Sequence, residues 1–291
     1  MQHFAPQSYE PDIDLLQKVL LRPQKSDATQ ILDAVADRLF ERLGLLKNSP
    51  STVIDLGAGD GRHLAILSKK FPGASVIGAD LSHSRIKTAS AGRRFWQKRP
   101  LLMCLDASRD LPFADASFDL VVSNMLLPWL FNPNRLMAEI NRVLADDGAF
   151  FISTAGPDTL IELRHAWAEV DDYLHINAFL DMHDIGDLLV SSGVADPVMD
   201  TERITVTYPS LDALLAELTG LGFLNVLSGR RKSLTARSVV QRLTQHYPVN
   251  AQGGVDATLE LVVAHGWKGQ PKNSAAGHEF TISVEQFKNQ L

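Results

Sequence analysis

The chain is poor in the features that mark specialised classes of protein. It has a single cysteine, Cys104, which excludes an intramolecular disulfide and a cysteine-cluster metal site and fits a reducing compartment. Cys104 is expected to be a buried small hydrophobe. No stretch approaches the roughly 20 apolar residues of a membrane-spanning helix. The segment Met1 to Asp14 carries Glu10, Asp12 and Asp14 but neither the basic start nor the apolar run of a signal peptide, so a cytoplasmic location is expected. Excess positive charge is missing too. At a formal net charge of −6, the molecule as a whole offers no general attraction to nucleic acid or anionic lipid. No set of His, Cys, Asp and Glu has metal-ligand spacing, and Asp181-Met182-His183 is a motif-search trap.

What is present is an alternation of patterns. Residues 1–30 are irregular, with one short helix near Ile13 to Leu21, and Ile31 to Leu46 repeats apolar residues at helical steps. Apolar, β-prone runs at Val53–Leu56, Ser75–Ala79, Leu101–Leu105, Phe118–Ser123 and Ala149–Thr154 are separated by helical patterns at Arg62–Phe71, Ser84–Phe95 and Pro133–Leu144. This predicts an α/β fold, a mostly parallel sheet with helices on both faces, whose ligands sit at the carboxyl ends of the strands. Beyond Thr154 come helical patterns at Asp158–Val170, His183–Ser192, Leu211–Leu221 and Thr235–His246, and strand candidates at Pro197–Tyr208 and Ala257–Gly266. Four regions follow: an N-terminal arm and helix (1–47), a Rossmann-like core (48–156), an elaboration with the last two strands (157–268), and a weakly patterned tail (269–291).

The sharpest signal is Val53-Ile54-Asp55-Leu56-Gly57-Ala58-Gly59-Asp60-Gly61, an apolar strand entering a glycine-rich turn. Glycines let the backbone turn tightly and a ligand approach the main chain. A dinucleotide fingerprint wants its last glycine where Arg62 stands, and Asp55 would repel a diphosphate but hold a cation. Asp80 ends the second strand, where a carboxylate accepts hydrogen bonds from ribose hydroxyls. Asp106 ends the third, placed to receive an adenine amino proton. Three acids at three strand tips describe a ligand with a cation, a ribose and an adenine, and no phosphate.

Asp55 to Gly61, Asp80, Asp106-Ala107, Leu111-Pro112-Phe113 and Phe118-Asp119 together resemble the class I S-adenosylmethionine-dependent methyltransferases. The resemblance implies a seven-stranded sheet with an antiparallel pair at its end and S-adenosylmethionine as cofactor. It implies Asp55 near the methionine moiety, Gly57, Ala58, Gly59 and Gly61 against the nucleoside, Asp80 and Leu81 at the ribose, Asp106 and Ala107 by the adenine, and Asn124 and Met125 at the methyl donor. A narrower likeness lies in Gly156-Pro157-Asp158-Thr159-Leu160-Ile161-Glu162-Leu163-Arg164, in the run Phe179 to Leu189, and in Gly229-Arg230-Arg231-Lys232. These phrases resemble the malonyl-acyl carrier protein O-methyltransferases of biotin synthesis. They also resemble a related branch of mitochondrial complex I assembly proteins associated with arginine hydroxylation. The likeness leaves open an assembly or binding role on the same fold, or a small-metabolite methyltransferase.

Carboxyl methylation needs alignment more than a base, because a carboxylate is already ionised at neutral pH. It needs a cation to orient the carboxylate. Arg164, on a helix just past the fifth strand, is the first candidate and Arg203 the second; a solvated surface arginine is the plain alternative for each. His175, His183 and Trp129 are weaker candidates, and Tyr9 is the candidate cofactor cover. The stretch from Leu218 to Val255 has no Asp or Glu but carries Arg230, Arg231, Lys232, Arg237 and Arg242. Such a local basic surface suits an acidic acyl carrier protein, with Arg230, Arg231 and Lys232 as docking residues; an unpartnered solvated face is the alternative.

Overall fold

A computed structural model describes residues 10–22, 30–91, 100–223 and 225–269. Its centre is one seven-stranded sheet in the order β3-β2-β1-β4-β5-β7-β6. The strands are β1 (Thr52–Leu56), β2 (Ser75–Asp80), β3 (Leu101–Cys104), β4 (Phe118–Asn124), β5 (Leu144–Ala155), β6 (Ala195–Tyr208) and β7 (Val255–Trp267). The first five pair in parallel, whereas β7 runs antiparallel between β5 and β6. The fold class and the antiparallel end pair therefore match the expectation. The last two strands extend the core sheet rather than forming a unit apart.

Alternation along the strands builds a core on each face. Val53, Val122 and Phe151 point into one cluster with Leu39, Leu64 and Leu67, from α2 (Gln30–Arg42) and α3 (Arg62–Lys70). Ile54, Val121 and Phe150 point into the other, with Leu136 and Ile140 of α5 (Pro133–Val143) and Ile185 and Leu189 of α7 (Met182–Ser191). The remaining helices are α1 (Ile13–Leu20), α4 (His83–Ala91), α6 (Ile161–Ala168), α8 (Leu211–Leu221) and α9 (Arg237–His246).

Local chemistry sets the helix ends. Asp12, Asn132, Asp181 and Ser210 cap α1, α5, α7 and α8 by accepting backbone N–H bonds, so Asp181 is a helix cap. Gly222 closes α8 in the left-handed conformation that favours glycine. The expectation that α4 reaches Phe95, Tyr9 as a cofactor cover and the tail beyond Gly269 fall outside the described residues. Cys104 is exposed, contrary to expectation, because it ends the edge strand β3; its thiol donates to the Leu81 carbonyl at 3.1 Å. Among the described residues, no helix is long and apolar enough to cross a membrane.

One buried polar group locks α5 to the loop leading into β4. Glu139 accepts the Leu111 N–H at 2.7 Å and is gripped by Arg142, which also donates to the Phe113 and Leu111 carbonyls. The guanidinium, helped by the Leu111 N–H, holds the Glu139 carboxyl below the usual carboxylate range. A depressed folded pKa contributes stability above the ordinary glutamate value, and that stability is lost as pH falls through the folded one. Glu139→Ala is expected to cost about 1–3 kcal/mol at neutral pH by orphaning the Leu111 N–H. Urea unfolding should show that deficit shrinking toward acid pH.

Candidate functional site

A cleft lies over the carboxyl ends of β1, β2 and β4 and the segment after β3, with an open volume of about 1340 Å³. Its floor is the glycine turn. Gly57, Gly59 and Gly61 have φ of +81°, +56° and +78°, so each occupies left-handed backbone that a side chain resists. The glycines also make room: a Cβ on Gly61 would stand 2.6 Å from the Ala89 Cβ of α4, and one on Gly57 3.3 Å from Leu126. The N–H groups of Gly57 and Ala58 both donate to the Ala79 carbonyl, at 2.8 and 2.9 Å.

Asp80 fastens this turn to the tip of β2. One carboxylate oxygen accepts the Gly59 N–H at 3.0 Å and the other the Ser82 N–H at 2.8 Å. A carboxylate offers about four lone-pair sites, so both oxygens retain capacity for a ligand's hydroxyls. Asp106 lines the cleft beyond, accepting the Ser108 N–H at 3.0 Å and pairing with Arg109 at 3.2 Å. Leu81 and Ala107 line the same wall.

Asp55 sits inside β1 at 1% exposure, and its Oδ2 has no hydrogen-bond partner among the described residues. Burial, aided by the nearby Asp80 charge, pushes its carboxyl up to about 7. An unsatisfied buried acid beside a second acid calls for a cation. Asn124 and Met125 continue the floor from β4. Asn124 Oδ1 accepts from the Ser153 hydroxyl at 2.6 Å, leaving Nδ2 buried and without a partner among the described residues. Met125 adopts φ +58°, a strained conformation for a side chain, held by its N–H on the Ser153 carbonyl and hydroxyl. Main chain left bare at Gly57 and Gly59 along the cleft, an orphaned acid and an orphaned amide fit the nucleoside sulfonium expected from the sequence.

Several cleft residues went unnoticed in the sequence. His63 on α3 lines the floor, its Nε2 without a partner among the described residues; burial brings its imidazole down to about 4, so it is neutral at pH 7. Arg85 on α4 is a cleft-lining cation, and its Nε donates to the Arg22 carbonyl at 3.2 Å. The roof is supplied by Leu16, Val19 and Leu20 of α1, by Trp129, and by Leu221, Gly222 and Phe223 at the end of α8. Trp129 meets Phe223 edge to face at 5.4 Å. Apolar spacing marked α1 and α8 as helices, but nothing in it says that they cross the cleft.

Other expected residues lie elsewhere. Arg164 on α6 donates to the Pro157 carbonyl at 3.2 Å, and Arg203 on the edge strand β6 is 69% exposed and paired with Asp158; neither lines the cleft. The reason is topological: α6 and β6 belong to the antiparallel end of the sheet, whereas the glycine turn is at its middle. His183 is exposed in the first turn of α7. His175 binds Asp171 at 2.6 Å and stacks on Trp167 at 3.5 Å beside a second cavity. Arg230 pairs with Asp12 at 2.9 Å and Arg231 with Asp171 at 3.4 Å, so both tie the roof together, while Lys232, Arg237 and Arg242 are exposed.

A family model described as a methyltransferase domain matches residues 54–152, the stretch that carries the glycine turn and the three acids. Among curated proteins, a malonyl-acyl-carrier protein O-methyltransferase of Laribacter hongkongensis is 39% identical over 242 residues, covering 80% of this chain and 81% of that protein. One of the same name from Gallionella capsiferriformans is 38% identical, covering 86% and 89%. Among solved structures, a putative methyltransferase of Bacillus halodurans aligns with a TM-score of 0.56 at 18% identity, over 81% of this chain and 100% of that one, a likeness of fold. With the glycine turn, its carboxylates and identity sustained over most of both chains, this protein belongs to the malonyl-acyl-carrier protein O-methyltransferase family of S-adenosylmethionine-dependent enzymes.

Proposed function

We propose that the protein transfers the methyl group of S-adenosylmethionine to the free carboxylate of a malonyl group borne on acyl carrier protein, giving the methyl ester that primes pimelate and biotin synthesis. The observation that carries the reading is the cleft floor: Asp80 and Asp106 line it and the buried Asp55 lies beneath, in a chain whose relatives bear that activity in their names. When bound, the sulfonium supplies a methyl carbon open to in-line attack by the carboxylate oxygen, the carbon–sulfur bond breaking with its electron pair kept by sulfur.

Each floor residue has a part. Ionised Asp55 balances the cofactor's positive charge, Asp80 with Leu81 holds the ribose, Asp106 with Ala107 faces the adenine, and Asn124 with Met125 lines the methyl-donor end. Gly57, Ala58, Gly59 and Gly61 let the nucleoside lie against the main chain. His63, neutral at pH 7, adds no competing cation beside the sulfonium. No base is needed, because the attacking carboxylate is already ionised. The work left to the chain is alignment and exclusion of water under the α1 and α8 roof. The region 157–268, the elaboration with the last two strands, is assigned to substrate binding, and the exposed Lys232, Arg237 and Arg242 on the acid-free segment favour an acidic carrier. A cytoplasmic setting agrees with a lone exposed thiol.

The deciding assay incubates malonyl-acyl carrier protein with S-adenosylmethionine and reads the carrier by mass spectrometry. A gain of one methyl is expected; firm cofactor binding with no methylated carrier would overturn the reading in favour of a non-methylating role. Asp80→Ala should weaken cofactor binding by about 1–3 kcal/mol in calorimetry, since it removes hydroxyl contacts and loosens the turn. Cofactor binding favours ionised Asp55 and so expels its proton below pH 7. Affinity is therefore expected to rise with pH up to about 7 and then level off. Asp55→Asn should lower the plateau and flatten that slope.

A further inference from the structure

A second cavity, of about 650 Å³ with its open mouth, adjoins the cofactor cleft. Phe223 lines both. Its remaining walls come from α6, from the segment 175–179 and from α8, and they are mostly apolar: Leu163, Trp167, Phe179 and Leu218. Polar groups break that surface at intervals. Asn225 Oδ1 accepts only the Leu227 N–H at 3.0 Å among the bonds made to it, and the Thr219 hydroxyl donates to the Leu215 carbonyl, which leaves each oxygen a lone pair for an incoming N–H.

The cavity's far wall is continuous with the basic segment. Leu174 pairs with Arg230 as a β-bridge, the Asn225 amide donates to the Leu174 carbonyl, and Arg231 holds Asp171, which in turn holds His175 in the wall. The next residue is the exposed Lys232, in a stretch of 38 residues (218 to 255) without one acidic side chain. The cavity thus shares the Phe223 wall with the cofactor cleft and is tied through His175 and Asp171 to the basic segment.

We infer that this second cavity seats the flexible thioester arm of the carrier-borne substrate, with Phe223 at the passage into the cofactor cleft. The inference rests on the proposed reaction. Such an arm is a thin, mainly apolar chain interrupted by amides, which matches a mostly apolar cavity with isolated acceptors. A buried cleft needs the arm, because the folded carrier is too large to enter.

The test compares carrier protein with and without its arm, by calorimetry, on the wild type and on Thr219→Trp, an exposed position at the cavity wall. The wild type should bind the arm-bearing carrier about tenfold more tightly than the bare one. Thr219→Trp should abolish that preference, leave bare-carrier binding alone and retain cofactor affinity, which also reports that it folds. Leu215→Trp, on the same wall, should do likewise. An undiminished preference in both variants, or none in the wild type, overturns the seat. If the wild type methylates malonyl carrier yet shows no arm preference, the seat alone fails and the reaction stands. If it shows the preference but no methylation, the reaction fails and the seat survives as a carrier site. Tight binding of a free medium-chain fatty acid, lost in both variants and without any arm preference, would assign the cavity to an acyl tail instead.

Discussion

The Asp80 carboxylate is the fixed point of the molecule. By accepting the Gly59 and Ser82 N–H groups it binds the turn after β1 to the turn after β2, and these two turns make the floor on which everything else is arranged. Three left-handed glycines in five residues would otherwise be a loose hinge, since glycine loses the most conformational freedom on folding. Anchoring that hinge with a buried acceptor, and backing it with paired N–H groups on Ala79, turns a flexible sequence into a preorganised surface.

The same anchor creates the electrostatic problem that the site exploits. Asp80 has two backbone donors to stabilise its charge; Asp55, one strand over and deeper, has an oxygen with none among the described residues. Two acids so close cannot both ionise cheaply in a low-dielectric floor, and the one without donors rises. Repulsion between carboxylates thus becomes stored preference for a cation. Two neighbours do not spend it, His63 being neutral and the Arg62 guanidinium committed to Asp60 and Asp33, while Arg85 answers the Asp80 side of the pair.

The floor was legible in the sequence because its parts are local. A strand, a glycine turn and an acid at the next strand tip are read from short spacings, and the structure brings Asp55, Asp80, Asp106, Asn124 and Met125 together around one cleft or just beneath it. The roof was not legible, because its contacts join distant stretches. Nothing local says that Arg230 will meet Asp12, or that the Arg85 guanidinium will reach the carbonyl of Arg22. For the same reason a run of like charge reads as a docking face, when two of its members, Arg230 and Arg231, are consumed in internal ion pairs. Arg164 and Arg203 lie away from the cleft for another reason: position in the chain just beyond a strand of the parallel half does not fix position in a sheet whose late strands turn back antiparallel.

This division between floor and roof also locates where one member of a large superfamily differs from the next. The general methyltransferase model stops at residue 152, and it contains nearly every polar group of the floor. The α1 and α8 parts of the roof come from outside it: α1 is held by the Val226 carbonyl and by Arg230, both equally outside, whereas the Gly222 end of α8 faces Val19 from outside that stretch and Arg85 from within it. A floor that recognises only the cofactor can be shared widely, since it carries no information about the acceptor. Acceptor choice must then reside in what closes over it. Phe223, packed on Trp129 in the first cleft and walling the second, is the residue through which those two tasks touch.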